Sequence, residues 1–195
     1  MSNDSTIRTF LAIDIDQLCR EYIGRVVSEL QLSRADVSWV KPGNAHLTLK
    51  FLGDISSGTQ TLIQEALKNI FMNQEPFDLI LSGVGVFPSF EKPRIVWVGI
   101  EDKSRTLAGL FELLEPIFES FGFPLDKRRF NPHLTLGRVR SGSGRQALNQ
   151  AIHDRLNYRG SLFHVDHATL YRSDLKPSGA VYTKLFHFPF SRKQT

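Results

Sequence analysis

The hydrophobic pattern of the chain alternates between short runs of consecutive apolar residues and longer stretches with an apolar residue at every third or fourth position. The first apolar run covers residues 8–15 and predicts a buried strand. From Asp16 the spacing is helical, with a stripe formed by Leu18, Tyr22, Ile23, Val26, Val27 and Leu30. The same criteria predict strands at 38–41, 45–52, 77–87, 94–100, 130–139, 162–171 and 181–188, and further helices that begin at residue 57, cover 103–121 and cover 143–156.

Turn and capping residues mark where these elements begin and end. Ser57 with Gln60 and Ser143 with Gln146 fit the capping box, in which side chains satisfy the free backbone groups of a helix start. Pro116 is expected to kink or divide its helix, because proline has no N–H to donate. Residues 88–93 predict a hairpin loop, and 173–179 predict a turn between the last two strands.

The order strand, helix, strand pair, helix, strand occurs twice, which suggests an internal duplication. No stretch rich in Gly, Ser or Pro separates the two halves. We therefore expect residues 1–195 to form one domain of two closely packed lobes. The predicted fold is α+β and bilobal: two pseudo-symmetric lobes of mainly antiparallel sheet, with helices packed outside and a central cleft.

Composition narrows the class of protein. The chain has 195 residues, 41% of them hydrophobic, and no apolar run long enough to cross a bilayer. Cys19 is the single cysteine, so no internal disulfide forms, and a cytoplasmic location is the simplest expectation. Nothing in the sequence requires more than a monomer.

The positive charge is concentrated in one segment. The formal net charge is +4, yet residues 127–145 contain no acid and six cations, namely Lys127, Arg128, Arg129, Arg138, Arg140 and Arg145. A run of this kind is often only a solvated face. Here it surrounds a candidate site, so attraction of a phosphate-bearing ligand is the preferred interpretation.

The tetrapeptide His-Leu-Thr-Leu occurs at residues 46–49 and again at 133–136. In a strand, successive side chains point to opposite faces, so each copy places His and Thr above two buried leucines. The motif histidines are 133 − 46 = 87 positions apart. Two such strands side by side would present two imidazoles and two hydroxyl groups in one cleft. One copy alone would more often be structural than catalytic, but an identical repeat favours function.

Two opposed imidazoles are suited to acid–base chemistry at a phosphodiester. A neutral histidine can take a proton from the attacking group while a protonated one donates to the leaving oxygen. Thr48 and Thr135 can donate to the non-bridging oxygens, and Arg138 can add a charge-assisted bond. Strict alternation would turn Arg138 away from His133, unless Gly137 permits a bulge.

At these residues the chain resembles the two-histidine (2H) phosphoesterase superfamily. Within it, the sequence is most similar to the RNA 2′,3′-cyclic phosphodiesterases, also called 2′-5′ RNA ligases. The segments that carry the resemblance are 8–13, 39–40, 44–53, 130–138, 170–175 and 179–182, so it spans almost the whole chain.

The resemblance implies metal-independent opening of RNA 2′,3′-cyclic phosphate ends to 2′-phosphates, with no cofactor. It implies His46 and His133 as the catalytic pair and Thr48, Thr135 and Arg138 as phosphate-binding residues. The reverse reaction would be 2′-5′ ligation. His133 is slightly preferred as base and His46 as acid. The alternatives are another cyclic nucleotide or 2′-5′ oligonucleotide phosphoesterase, and a non-catalytic RNA-binding module.

Other candidates are weaker. His164 and His167 form H-x-x-H, but strand alternation puts them on opposite faces, so no metal site is predicted. Phe51 and Phe10 are the aromatic residues nearest the motifs that could stack on a nucleobase. Alternation from His46 points Phe51 into the core, whereas Phe10 fits either role.

Overall fold

The computed structural model describes residues 6–126, 130–177 and 179–191. Within these residues the chain forms nine β-strands, four α-helices and a short 3-10 helix at Pro42–Asn44. In chain order the elements are β1 Ile7–Asp14, α1 Gln17–Gln31, β2 Val37–Trp39, β3 His46–Ile55, α2 Ser57–Phe71, β4 Phe77–Phe87, β5 Ile95–Glu101, α3 Thr106–Ser120, β6 His133–Val139, α4 Arg145–His153, β7 Arg159–Val165, β8 His167–Lys176 and β9 Gly179–Pro189.

All nine strands join in one antiparallel sheet with an approximate two-fold arrangement. The order is β7-β4-β5-β6-β3-β1-β8-β9, with β2 paired to β6. The strands that carry the two motifs, β3 and β6, therefore lie side by side at the centre. On one side of the centre, β4 from the first half of the chain pairs with β7 from the second half, and on the other side β1 pairs with β8. Each half of the sheet thus contains strands from both halves of the chain. The predicted α+β fold with two similar lobes is confirmed.

The hydrophobic core lies on one face of the sheet, beneath all four helices. Each helix contributes fully buried side chains to one cluster, among them Leu30, Phe71, Phe118 and Ile152. The same cluster contains Leu47 and Leu134 from the centres of the motifs. Leu18, which belongs to the predicted stripe of α1, is instead 65% exposed, and Leu62, an apolar residue of α2, is 55% exposed. Both lie in the first two turns of their helices, beside the buried stripe and not within it.

Helix starts differ from the predicted capping boxes by one residue. Ser56, not Ser57, caps α2, because its Oγ accepts the N–H of Thr59 at 3.2 Å. Gly144 caps α4 with φ 68°, and no side chain accepts a hydrogen bond there. A Cβ at Gly144 would lie 2.6 Å from the Ala35 Cα, so the close approach of α4 to the loop before β2 requires glycine.

Helix α3 runs through Pro116 as one element, so the proline does not divide it. The prediction for the C-terminal strands is wrong in detail. The C-terminal region contains three strands rather than two, because the predicted strand at 162–171 is split between β7 and β8 on either side of Asp166. The predicted turn is also shorter: β8 and β9 stay paired as far as Lys176 and Gly179.

A buried ion pair ties the first motif strand to the segment that leads toward the second. Lys50 Nζ donates to Glu115 Oε1 of α3 at 2.7 Å and to the Pro124 carbonyl at 2.8 Å. Glu115 Oε2 accepts the backbone N–H of Asp126 at 2.7 Å. Since only 9% and 11% of the two charged side chains are exposed, removal of either would leave an uncompensated buried charge.

Candidate active site

The two motifs begin neighbouring central strands and meet at one point. β3 and β6 are antiparallel, with Leu47 opposite Leu134. Both leucines are buried in the core, so the residues on either side of them face the other side of the sheet. In this register His46 lies across from Thr135 and Thr48 lies across from His133. The two histidines are therefore diagonal neighbours, and such pairs are about 7–8 Å apart on paired strands.

Each imidazole is held in the same way by its own chain. The Nδ1 of His46 lies 2.8 Å from the Asn44 carbonyl oxygen, and that of His133 lies 2.7 Å from the Asn131 carbonyl oxygen. A carbonyl only accepts, so Nδ1 carries the hydrogen in both rings. The second nitrogen, Nε2, is therefore the atom of each ring that can take up or release a proton in the cleft.

A bulge at the last leucine of each motif changes which residues face the cleft. On β3, Lys50 pairs with Leu11 and Thr48 with Ala12, so Leu49 is the extra residue. On β6, Gly137 pairs with Val96 and Thr135 with Trp97, so Leu136 is extra. Each bulge places two consecutive residues on the buried side and returns the next one to the face of the histidine. The residues returned to the cleft face are Phe51 and Arg138, both exposed.

The bulge predicted at Gly137 is thus present, and it places Arg138 on the side of His133. Gly137 has little room for a side chain, since a Cβ there would lie 2.6 Å from Val37 Cγ1. Within the described part of the chain, Arg138 has no ion-pair partner, and the hydroxyls of Thr48 and Thr135 make no hydrogen bond to another residue. These donors can therefore serve a ligand.

The expectation that Phe51 packs into the core is wrong. Its side chain is 65% exposed, and its ring centroid lies 6.0 Å from that of Phe10. Alternation fails here because the bulge at Leu49 shifts the pattern by one residue. Phe10, whose role was open, is only 2% exposed and stacks on His46. Of the two aromatic candidates, Phe51 is the one that a ligand can reach.

Aromatic rings surround His46 closely. Phe10 stacks on the imidazole with centroids 4.6 Å apart, and Tyr182 meets it edge-on at 5.1 Å. Burial lowers the pKa of His46, while the Asn44 carbonyl and the charge of Asp14 oppose that shift. Burial raises the pKa of Tyr182, and the positive charges of Arg138 and Arg8 oppose it. The positive charge of Arg138 thus affects the pKa of Tyr182, whose ring packs against His46.

His133 has a more open environment. Phe87 meets its ring edge-on at 5.0 Å, and Trp97 lies 6.4 Å away between centroids. Gly99 occupies the paired position on β5. No charged side chain forms an ion pair with His133 in the described part of the chain.

Sequence reasoning missed an acidic group beside His46. Asp14 ends β1 and pairs in register with His46. It accepts hydrogen bonds from His167, Thr169, Tyr171 and Lys184. The available signal was one acid, Asp14, that interrupts the apolar run from Phe10 to Ile15.

The two histidines of the H-x-x-H motif have separate partners. His164 pairs with Asp78 at 2.8 Å, whereas His167 contacts Asp14 and Asp166. Among the described residues no group of three or more His, Cys, Asp or Glu side chains could hold a metal ion. In the basic segment, Arg140 donates to Ser38 and Arg145 to the Glu91 carbonyl. Lys127, Arg128 and Arg129 lie outside the described residues. No helix in the described ranges is both long and apolar enough to span a membrane.

Comparison with known proteins identifies the class to which this fold and paired motif belong. The family described as LigT like Phosphoesterase matches the chain twice, over residues 13–97 and 98–182. The chain belongs to this family. Each match contains one His-Leu-Thr-Leu motif, which agrees with the proposed internal duplication.

Particular relatives narrow the comparison. The RNA 2′,3′-cyclic phosphodiesterase of Methanothermobacter thermautotrophicus is 35% identical over 179 residues, which are 92% of this chain and 96% of the relative. The protein of that name from Aquifex aeolicus is 28% identical over 183 residues, covering 93% and 96%. The crystal structure of Escherichia coli LigT complexed with 3′-AMP superposes with a TM-score of 0.78 at 25% identity, over 96% of this chain and 99% of that one. TT0787 of Thermus thermophilus gives a TM-score of 0.80, also at 25% identity, over 96% and 100%.

Proposed function

We propose that this protein hydrolyses the 2′,3′-cyclic phosphate ends of RNA, using His46 and His133 as general acid and base. The observation that carries the proposal is the pairing of Leu47 with Leu134, which puts both imidazoles on one face of the sheet. The family membership and the relatives named for this activity supply the substrate class.

The geometry supports a single in-line step. A water oxygen forms the new bond to phosphorus, and its proton goes to the Nε2 of the neutral histidine. The bond from phosphorus to the ribose O3′ breaks, and O3′ takes the proton from Nε2 of the other histidine. The product is a 2′-phosphate. Proton exchange with solvent restores the starting state. With a ribose hydroxyl in place of water, the same step would form a 2′-5′ linkage, with O3′ again as the leaving group.

Polar groups around the cleft suit the charge of the phosphate. Thr48 lies directly across from His133 and Thr135 directly across from His46, so their hydroxyls can donate to non-bridging oxygens. Arg138 can add a charge-assisted hydrogen bond, which is about twice as strong as a neutral one. These three residues are proposed to bind the phosphate. No step in this mechanism needs a metal ion.

The proposal is tested with RNA that ends in a 2′,3′-cyclic phosphate, incubated in the presence of a chelator. Hydrolysis to a 2′-phosphate is expected: a general phosphomonoesterase, which does not act on the cyclic substrate, should remove the product phosphate, whereas a 3′-specific phosphatase should not. A 3′-phosphate product would contradict the proposed bond cleavage. Binding without product, with an affinity that falls steeply with salt, would instead indicate the RNA-binding alternative.

The assignment of base and acid needs its own test. The sequence preferred His133 as the base, whereas the lowered pKa of His46 favours a neutral His46 and hence the opposite assignment. Replacing the bridging O3′ by sulfur makes the leaving group less dependent on protonation. The variant that lacks the acid should recover most of its rate on this substrate, and the variant that lacks the base should not.

The expectations about the domain, the partner, the oligomeric state and the location accompany this proposal. We propose that the two lobes act as one domain, since one core cluster contains residues from both halves of the chain. RNA is the proposed partner. A monomeric state and a cytoplasmic location stay predictions from the sequence.

A further inference from the structure

We propose that Asp14 is a positioning residue for His46, and that its carboxylate favours the charged form of the imidazole. The inference rests on the proposed function only in so far as His46 must carry a proton at one stage of the reaction. Its physical content, an electrostatic effect of Asp14 on His46, can be measured without turnover.

The location of Asp14 supports this role. It is the last residue of β1 and is the register partner of His46 at the start of β3. Only 9% of its side chain is exposed. An ionised carboxylate in such a site acts on neighbouring charges more strongly than one in water.

Hydrogen bonds keep this carboxylate ionised. Lys184 Nζ donates to Asp14 Oδ2 at 2.6 Å, His167 Nε2 at 3.0 Å and Thr169 Oγ1 at 3.2 Å, while the Tyr171 hydroxyl donates to Oδ1. Burial alone would raise the pKa of Asp14, but the hydrogen bonds from His167, Lys184 and Tyr171 bring it well below its usual range. The negative charge is therefore permanent at physiological pH.

A second link to His46 is mechanical. The Tyr171 ring, whose hydroxyl binds Asp14, stacks on Phe10 at 5.1 Å, and Phe10 stacks on His46 at 4.6 Å. Asp14 thus fixes the outer ring of the stack that supports the imidazole. Both the orientation and the charge of His46 depend on the same carboxylate.

Other charged groups around Asp14 come from three elements. On β8, both ring nitrogens of His167 face carboxylates, those of Asp14 and Asp166, and these contacts raise its pKa. β9 contributes Lys184 and also His187, whose ring lies 4.4 Å from that of His167. On α1, the charge of Arg20 acts on Tyr171. Asp14 is the charged side chain that acts on His46 itself, where it opposes the effect of burial.

Among the residues that the structure describes, the second motif has no counterpart of this carboxylate at its register position. Gly99 is the register partner of His133, as Asp14 is of His46. A Cβ at Gly99 would lie 2.6 Å from the Ser82 carbonyl oxygen, so this position excludes a side chain. The electrostatic support is therefore specific to His46.

The test measures the protonation of His46 directly. In protein labelled with ¹⁵N-histidine, NMR titration follows Nε2 of His46 in the wild type, Asp14→Asn and Lys184→Gln. Loss of the negative charge in D14N should move the His46 midpoint to lower pH. Loss of the positive charge beside Asp14 in K184Q should move it to higher pH. Opposite shifts are the signature of charge, since general loosening of the fold would not reverse sign.

Turnover provides the second readout. With a cyclic-phosphate substrate, D14N should lower kcat by roughly ten- to 10²-fold, because the imidazole is less well oriented and less readily charged, with a smaller change in KM. If D14N does not fold, K184Q alone decides the electrostatic question, because the Lys184 side chain is 59% exposed and Asp14 keeps its hydrogen bonds from His167, Thr169 and Tyr171.

The outcomes separate the two proposals. An unchanged His46 midpoint in D14N, or in K184Q where D14N is unfolded, would overturn the role of Asp14 even if the wild type is active. Absence of wild-type turnover would overturn the proposed function, while opposite shifts in the two variants would still establish the effect of Asp14 on His46.

Discussion

The surroundings of His46 and His133 differ far more than the motifs that contain them. Both imidazoles bind a carbonyl two residues earlier, and both motifs end in a bulge. Yet His46 lies among Phe10, Tyr171 and Tyr182 beside an ionised acid, whereas His133 has two aromatic neighbours and a glycine at the register position. The motif sets where the proton carriers point, and the neighbouring strands set how readily each ring is charged.

The same contrast appears at the bulges. Lys50 and Gly137 occupy equivalent positions on the buried side of the sheet. Phe51 and Arg138 occupy equivalent exposed positions on the cleft face. One half of the cleft thus has an exposed aromatic ring where the other has a guanidinium group. A duplicated framework with different groups at equivalent positions suits a reaction whose two histidines perform opposite proton transfers.

The largest expected effect comes from removing either proton carrier. His46→Ala and His133→Ala should each lower turnover of a cyclic-phosphate substrate by ~10²–10⁴-fold, because each removes one proton transfer. Steady-state rates with circular dichroism as a check of folding provide the measurement. His164→Ala is the matched control, since that ring is exposed and pairs with Asp78. If either motif variant kept the wild-type rate, two-histidine catalysis would be wrong.

The buried ion pair at the first bulge allows a test of stability. Lys50→Met leaves Glu115 charged and buried, so the free energy of unfolding should fall by about 3–5 kcal/mol. Urea denaturation measures it. A double variant in which Glu115 is also replaced by Met should recover much of the loss, because no unpaired charge remains. Equal stability of the single variant and the wild type would show that this pair does not hold the segment before β6.

Arg138 distinguishes the second half of the cleft from the first. Arg138→Met removes a charge-assisted hydrogen bond to the phosphate, worth about 1.5–3 kcal/mol, so kcat/KM should fall roughly 10- to 10²-fold. Arg140→Met serves as control, because the Arg140 guanidinium donates to Ser38 and lies farther along the chain from His133. Similar losses in both variants would indicate general attraction by positive charge instead of a specific contact.

Phe51 is expected to have a smaller effect, confined to binding. Stacking of a base on an aromatic ring contributes about 1–3 kcal/mol, so Phe51→Ala should raise KM for RNA about tenfold with little change in kcat. Phe51→Leu separates stacking from simple apolar contact. A fall in kcat with constant KM would instead place Phe51 in the support of His46 through Phe10, 6.0 Å away.

Much of the fold could be predicted because its signals are local. Helical stripes and apolar runs located the four helices and most strands, since each depends on spacing within a few residues. Capping was misplaced by one residue at α2, because the cap is the residue with extended backbone, here Ser56, and not simply a nearby hydroxyl. The split between β7 and β8 was missed because a single residue, Asp166, separates the two strands.

The sequence by itself determined that His46 and Thr48 share a face, as do His133 and Thr135, because side-chain alternation in a strand is a local property. Only the tertiary structure decided which groups surround them. The bulges that turn Phe51 and Arg138 toward the cleft depend on the register with β1 and β5. The donors that hold Asp14 come from β8 and β9, more than 150 positions along the chain. Such contacts are set by strand pairing across the whole sheet, which no short stretch of sequence encodes.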